Sequence, residues 1–154
     1  MEKGFTGTLK YNIFQAFFGS ETAVDVLEKC CCPLYVGLFV DQGETDPVEL
    51  IIGRNGYQRA LVVFDMQSQN DYVVNSNSVT FEKAEADWAS GMTHVTHIGI
   101  FSSHKVSDIE SGEESWVSDE DDELWAFLPL SEAEQIKTGE IFQLNPMSIK
   151  MQLV

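Results

Sequence analysis

From Leu34 onward the chain never runs far without a turn former, and the apolar residues between the turns are largely β-branched or aromatic. The clearest instance is the end of the chain. Met147, Ile149, Met151 and Leu153 alternate there with Ser148, Lys150 and Gln152. A strict period of two puts one set of side chains on each face of an extended strand, and no helix satisfies it. Leu34-Tyr35-Val36-Gly37-Leu38-Phe39-Val40, bounded by Pro33 and Asp41-Gln42-Gly43, reads as a strand for the same reasons. Leu50-Ile51-Ile52 is a shorter apolar run, and Asn55-Gly56 behind it tolerates the positive φ of a tight turn. Ala60 to Phe64 is continuously apolar, which predicts a strand buried on both faces. Asp71 to Val74, Ser78 to Phe81, Val95 to Phe101 and Leu124 to Leu128 add further strands. Glu140 to Leu144 forms a closing pair with the final segment around Asn145-Pro146.

This pattern predicts an all-β fold: an antiparallel β-sandwich or barrel-like domain of about eight strands. Helical spacing occurs only at the front. Leu9, Ile13 and Phe17 recur every four residues, Phe14 and Phe18 repeat the spacing on the adjoining stripe, and Gly19 is a natural stop. Thr22, with Asp25 three residues on, can cap a second short helix, which Pro33 must end. The expected organisation is an N-terminal helical arm over 1–33, packed on or docking beside a single β domain over 34–154. An acidic inserted loop is expected at 105–123.

Charge narrows the partners. The 154 residues carry a formal net charge of −16. Between Asp108 and Glu123 there are nine acids and no base. Such a surface repels phosphate, so neither nucleic acid nor an anionic membrane is an expected partner. No run of apolar residues is long enough for a membrane-spanning helix, and Met1-Glu2-Lys3-Gly4 lacks the order of a secretory signal, so use without such export is expected. The acidic stretch reads as a solvated loop. Asp119-Glu120-Asp121-Asp122-Glu123 lacks the spacing of an EF-hand, so diffuse cation screening is expected there.

No constellation for catalysis stands out. His94 and His97 are three apart, and on a strand they point to opposite faces. Cys30, Cys31 and Cys32 are adjacent, a poor framework for an internal disulfide and outside zinc-knuckle spacing. Buried small side chains, an inter-subunit bridge and a metal ligand set all remain open for them. There is no Gly-x-Ser-x-Gly elbow, and Gly53-Arg54-Asn55-Gly56 is followed by Tyr57 without the Lys-Ser/Thr of a phosphate loop. The expectation is no catalytic residue, no metal site and no cofactor.

Six short elements in one order carry a resemblance. They are Asn12 to Gly19, Tyr35-Val36-Gly37-Leu38-Phe39, Gly56-Tyr57-Gln58-Arg59, Ser76-Asn77-Ser78-Val79-Thr80-Phe81 followed by Trp88, Thr96-His97-Ile98-Gly99-Ile100-Phe101, and Gly139-Glu140-Ile141-Phe142. In this the chain resembles a family of small tailed-bacteriophage virion proteins labelled tail-fibre-like. Cys30 to Cys32 and the acidic stretch depart from that pattern.

The resemblance implies a non-enzymatic structural component of a virion, assembled in the host bacterial cytoplasm. It would form a symmetric homo-oligomer in the tail or fibre-attachment apparatus and contact other virion proteins. A capsid-decorating role and a receptor- or carbohydrate-binding module are the alternatives. Phe14, Phe17, Phe18, Tyr57, Arg59 and Trp116 are the candidate docking residues. Tyr35, Gly56, Trp88, His97, Gly99 and Phe101 are the candidate structural ones. Tyr57 and Arg59 should share a strand face, Gly99 should admit a neighbouring backbone or ring, and Trp88 is either a core residue, the favoured reading, or an interface anchor.

Overall fold

The computed structural model describes residues 4–11, 32–43, 45–66 and 72–152. The fold is all-β and antiparallel, as the alternation predicts. In chain order the strands are β1 (Gly4–Phe5), β2 (Leu34–Asp41), β3 (Val48–Glu49), β4 (Ala60–Val62), β5 (Phe64–Met66), β6 (Tyr72–Asn75) and β7 (Val79–Thr80). They continue as β8 (His94–Phe101), β9 (His104–Ser107), β10 (Glu114–Val117), β11 (Leu124–Glu134), β12 (Gln143–Leu144) and β13 (Lys150–Gln152). The largest sheet has the order β1-β11-β8-β2-β3, with β4 also paired to β2. Three small sheets, β10-β9, β12-β7 and β13-β6-β5, complete the set.

The two long central strands show why the sheet forms. Val36, Leu38 and Val40 of β2 and Ile98 and Ile100 of β8 point to one side. There they join Val79, Phe81, Trp88, Ile136, Ile149 and Met151 in the main core. The short strands therefore close the core from across the large sheet. The intervening residues Phe39, Phe101 and Phe127 make a second cluster on the opposite face. Phe39 stacks on Phe101 with ring centres 6.1 Å apart and meets Phe127 edge-on at 5.0 Å. His97 lies flat on Phe127 at 4.7 Å. This second cluster is possible because Gly37 and Gly99 face each other in the β2–β8 register. A Cβ on Gly99 would come within 2.6 Å of Leu124 and 2.7 Å of the Phe39 ring, so the glycine does admit neighbouring rings.

Several expectations are corrected. Among the described residues there are thirteen strands instead of about eight, because many ladders are only two or three residues long. Ala60 to Phe64 is not one strand buried on both faces. It breaks at Val63, passing from β4 in the large sheet to β5 in a small one, and Leu61 and Val63 are each 46% exposed. Leu50 to Ile52 is not a strand; pairing falls on Val48 and Glu49, and Ile51 already accepts the turn bond from Arg54. The acidic segment at 105–123 is not a plain loop. It carries the β9–β10 hairpin, with Trp116 opposite Lys105 and Val117 opposite His104. The closing segments do not pair with each other: β12 pairs with β7 and β13 with β6. Met147 sits at φ +64 in the intervening turn, so it leaves the alternating face that Ile149 and Met151 keep.

At the front, residues 7–11 are helical, and Thr6 caps them by accepting from the Leu9 N–H. The rest of the expected Leu9–Phe18 helix, with Phe14, Phe17 and Phe18, lies outside the described residues. So do the expected second helix up to residue 31, Cys30 and Cys31. Cys32 is half-buried and unpaired.

Polar side chains finish the ladders. Buried Asn75 donates to the Asn77 and Asn145 carbonyls, and its Oδ1 accepts the Ile149 N–H at 2.8 Å. Asn77 works along the outer edge of β4, accepting from Val63 N–H and donating to the Leu61 carbonyl.

The crowding at Gly99 makes a quantitative test. Gly99→Ala should lower unfolding stability by about 1–3 kcal/mol, the usual cost of overfilling a packed interior. Urea denaturation measures it, and an unchanged midpoint would show that the rings have room to give way.

Candidate functional site

Along one edge of β2, β3 pairs at Phe39 and Val40 and β4 at Leu34 to Val36. Between them, at Gly37 and Leu38, no strand residue completes the ladder. Leu50, just past β3, donates its N–H to the Leu38 carbonyl at 3.0 Å, and Tyr57 takes the Leu38 N–H. The turn before it is tight: Asn55 at φ +55, Gly56 at φ +80, and the Tyr57 N–H donating to the Arg54 carbonyl. Two successive positive φ values suit Asn-Gly and few other pairs. The turn aims Tyr57 inward, where its hydroxyl accepts the Leu38 N–H at 2.9 Å and donates to Glu49 Oε2 at 2.9 Å.

Glu49 is shared. Its carboxylate takes a bidentate pair from Arg59, Nε to Oε2 at 2.8 Å and Nη2 to Oε1 at 2.7 Å. Arg59 Nη1 donates to Ser118 Oγ and, at 2.6 Å, to the Asp119 carbonyl. The guanidinium lies 3.4 Å above the Phe101 ring centre. One face of the cation and all three of its nitrogens are therefore engaged. The Glu49 carboxylate occupies the space over Gly37, where a Cβ would collide with it. Burial, and then the Glu49 charge, push the Tyr57 phenol well above its ordinary range.

Tyr57 and Arg59 were expected at a docking surface, and this is a correction. They are only 1% and 8% exposed, because the turn at Asn55-Gly56 directs both into the sheet edge. Tyr57 meets Trp88 edge-on at 5.5 Å, and Trp88 is in the core with its indole N–H donating to the Asn55 carbonyl. Tyr35 is half-buried and its hydroxyl donates to the Trp116 carbonyl. Trp116 itself stays half-exposed on β10, with the Lys105 ammonium 5.3 Å from its ring centre.

Beside the network runs a groove of about 360 Å³, lined in part by Val48, Leu50, Arg54, Asp87, Trp88 and Thr93. Thr138 donates to Asp87 from its backbone N–H and its hydroxyl, both at 2.8 Å, and these bonds hold the carboxyl below the usual carboxylate range. The groove therefore offers a charged rim over an apolar floor. Val48 and Ile51 beside it are exposed.

Of the histidines, His97 is occupied by Phe127 and by the Thr96 hydroxyl, 2.8 Å from Nδ1. His104 is different: with Asp119 and Asp122 it brings possible metal donor atoms within 4.8 Å of one another. Sequence reading missed that group, as it missed Glu49 and Asn75. Glu49 lies on a strand too short to have a pattern, and His104 meets its partners only once the hairpin has formed. No protein-family model, curated protein or solved structure matches the chain.

Breaking the ion pair from one side should be far worse than removing both partners. Glu49→Leu alone strands a buried guanidinium and should cost about 3–5 kcal/mol, whereas Glu49→Leu with Arg59→Met should recover a substantial part of it. Chemical denaturation of the three variants tests this; strictly additive losses would count against coupling.

Alkali supplies a second test. In the unfolded chain Tyr57 ionises near the ordinary tyrosine pKa of about 10. In the folded chain ionisation is disfavoured. Its contribution to stability is thus complete below that pH and is lost as the pH rises through the higher folded value. Tyrosinate absorbance of the native protein should lag that of the unfolded chain above pH ~10, and the lag should shrink in Tyr57→Phe. An unchanged lag would move the effect to another tyrosine.

Proposed function

We propose that this chain is a structural component of a tailed-phage particle, acting as a symmetric oligomer in the tail or fibre-attachment apparatus. The observation that carries the reading is where the resemblance-bearing residues go. Tyr35, Gly56, Tyr57, Arg59, Trp88, His97, Gly99 and Phe101 all serve turns, ladder gaps, ring stacks or buried ion pairs. A sequence pattern spent on holding a shape suits a part whose work is to fit its neighbours. It also suits a role without turnover, since Arg59, Glu49 and Tyr57 satisfy one another instead of facing a ligand.

The surface fits assembly. Val48, Ile51, Leu61 and Val63 expose apolar side chains on the segments around β3 and β4. Burying such side chains against a second copy or another protein is favourable in proportion to the apolar area removed from water. A strongly acidic remainder keeps unassembled copies apart through like-charge repulsion.

Light scattering coupled to size exclusion should find one discrete, closed oligomer, and gold-labelled antibody should mark one end of isolated particles. Label spread over the head would instead favour decoration of the capsid. A monomer absent from particles would overturn the proposal.

A further inference from the structure

We propose that the base of the β9–β10 hairpin is a site for a divalent transition-metal ion, ligated by His104 Nε2 and Asp119 Oδ2. Asp122 acts as the positioning residue behind the imidazole. The inference starts from Asp122, whose side chain is only 5% exposed. Its Oδ2 lies 2.9 Å from His104 Nδ1 and also accepts the Asp119 N–H at 2.9 Å. A carboxylate oxygen can only accept, so the ring carries its proton on Nδ1. In the neutral imidazole this leaves the Nε2 lone pair on the far side, toward Asp119. A histidine oriented by a buried carboxylate through one nitrogen, with the other presented outward, is the usual support for a metal-binding imidazole.

The second donor is placed to match. Asp119 Oδ2 lies 3.7 Å from His104 Nε2, too far for a hydrogen bond. Two donors each about 2.0–2.2 Å from one ion lie about 3.4 Å apart at a tetrahedral angle, and slightly farther apart at a wider one. Asp119 is held there: its Oδ1 accepts the Asp121 N–H and its carbonyl accepts from the buried Arg59. The site is thus anchored to the ion-pair network of the large sheet. His104 and Asp119 side chains are 40% and 42% exposed, so an ion can enter from solvent and water can complete its shell.

The donor set selects the ion. An imidazole nitrogen beside a carboxylate suits zinc, cobalt or nickel, whereas calcium and magnesium prefer oxygen alone. Diffuse screening by the nine acids between Asp108 and Glu123 has no such preference and needs no histidine. The competing arrangement is an imidazolium lodged between two carboxylates, with no ion bound.

Titration calorimetry of the full chain with zinc chloride, cobalt chloride and calcium chloride separates these. Zinc should bind at one-to-one stoichiometry and shift the His104 Nε2 resonance of the otherwise unaltered protein. His104→Gln and Asp119→Asn should each weaken zinc by about tenfold or more, as expected when one ligand is lost. Asp121→Asn, which removes a charge from the same turn, should change affinity less than about twofold, since it is not a ligand. Circular dichroism checks that each variant folds. An unmoved Nε2 resonance, equal losses in Asp119→Asn and Asp121→Asn, or calcium binding as tightly as zinc would overturn the proposal. So would a thiolate band in the cobalt spectrum that persists in His104→Gln, because it would put the ion at Cys30 to Cys32.

Discussion

A carboxylate held over a glycine organises this fold. Glu49 sits on a strand of two residues, yet its two oxygens receive the Tyr57 hydroxyl and both Arg59 donors. That arrangement exists only because Gly37 leaves the sheet face bare beneath it. Through Tyr57 it takes up the Leu38 N–H of β2 where β3 and β4 stop short. Through Arg59 it reaches the Phe101 ring on one side and the end of the hairpin on the other. A charged pair this far from water contributes little net energy against an apolar replacement, but it makes misplacement of any partner costly. Its role is to fix how the segments meet.

The aromatic cluster on the second sheet face follows from the same relief. Gly37 opposite Gly99 lets Phe39, Phe101 and Phe127 lie flat or edge-on across the strands, and His97 joins as a fourth ring. Large rings packed beside absent side chains give a close fit with few alternatives. The strongest motif of the chain, Thr96 to Phe101, is therefore a packing device on both faces at once: Ile98 and Ile100 serve the main core and His97, Gly99 and Phe101 the other cluster.

Legibility in the sequence tracked strand length. β2 and β8 each run for eight residues and are buried over consecutive positions, and both are evident from their apolar, β-branched and aromatic residues alone. The turn at Asn55-Gly56, the space at Gly99 and the core position of Trp88 were legible too, because local chemistry dictates them. What was not legible depends on register. β3, β7 and β12 have two residues each, too few for a period. The placement of Tyr57 and Arg59 turns on Glu49, ten residues before Arg59 and on the two-residue strand β3. The hairpin was hidden by its charge: polar residues alternate with few apolar ones in β9 and β10, so the segment reads as solvated even where it pairs. The pairing of His104 with Asp122 needs that hairpin first.

Asn77 has a consequence for how the chain meets other molecules. Its amide, with the Ser76 N–H, occupies the Leu61 carbonyl and both main-chain groups of Val63, so three main-chain groups at the outward rim and end of β4 are already taken. An oily rim with open main-chain groups recruits further strands without limit and leads to fibres. Here the oil remains and much of the template is taken. Contact through Leu61 and Val63 is thereby weighted toward side-chain fit, which saturates with a matching neighbour instead of propagating.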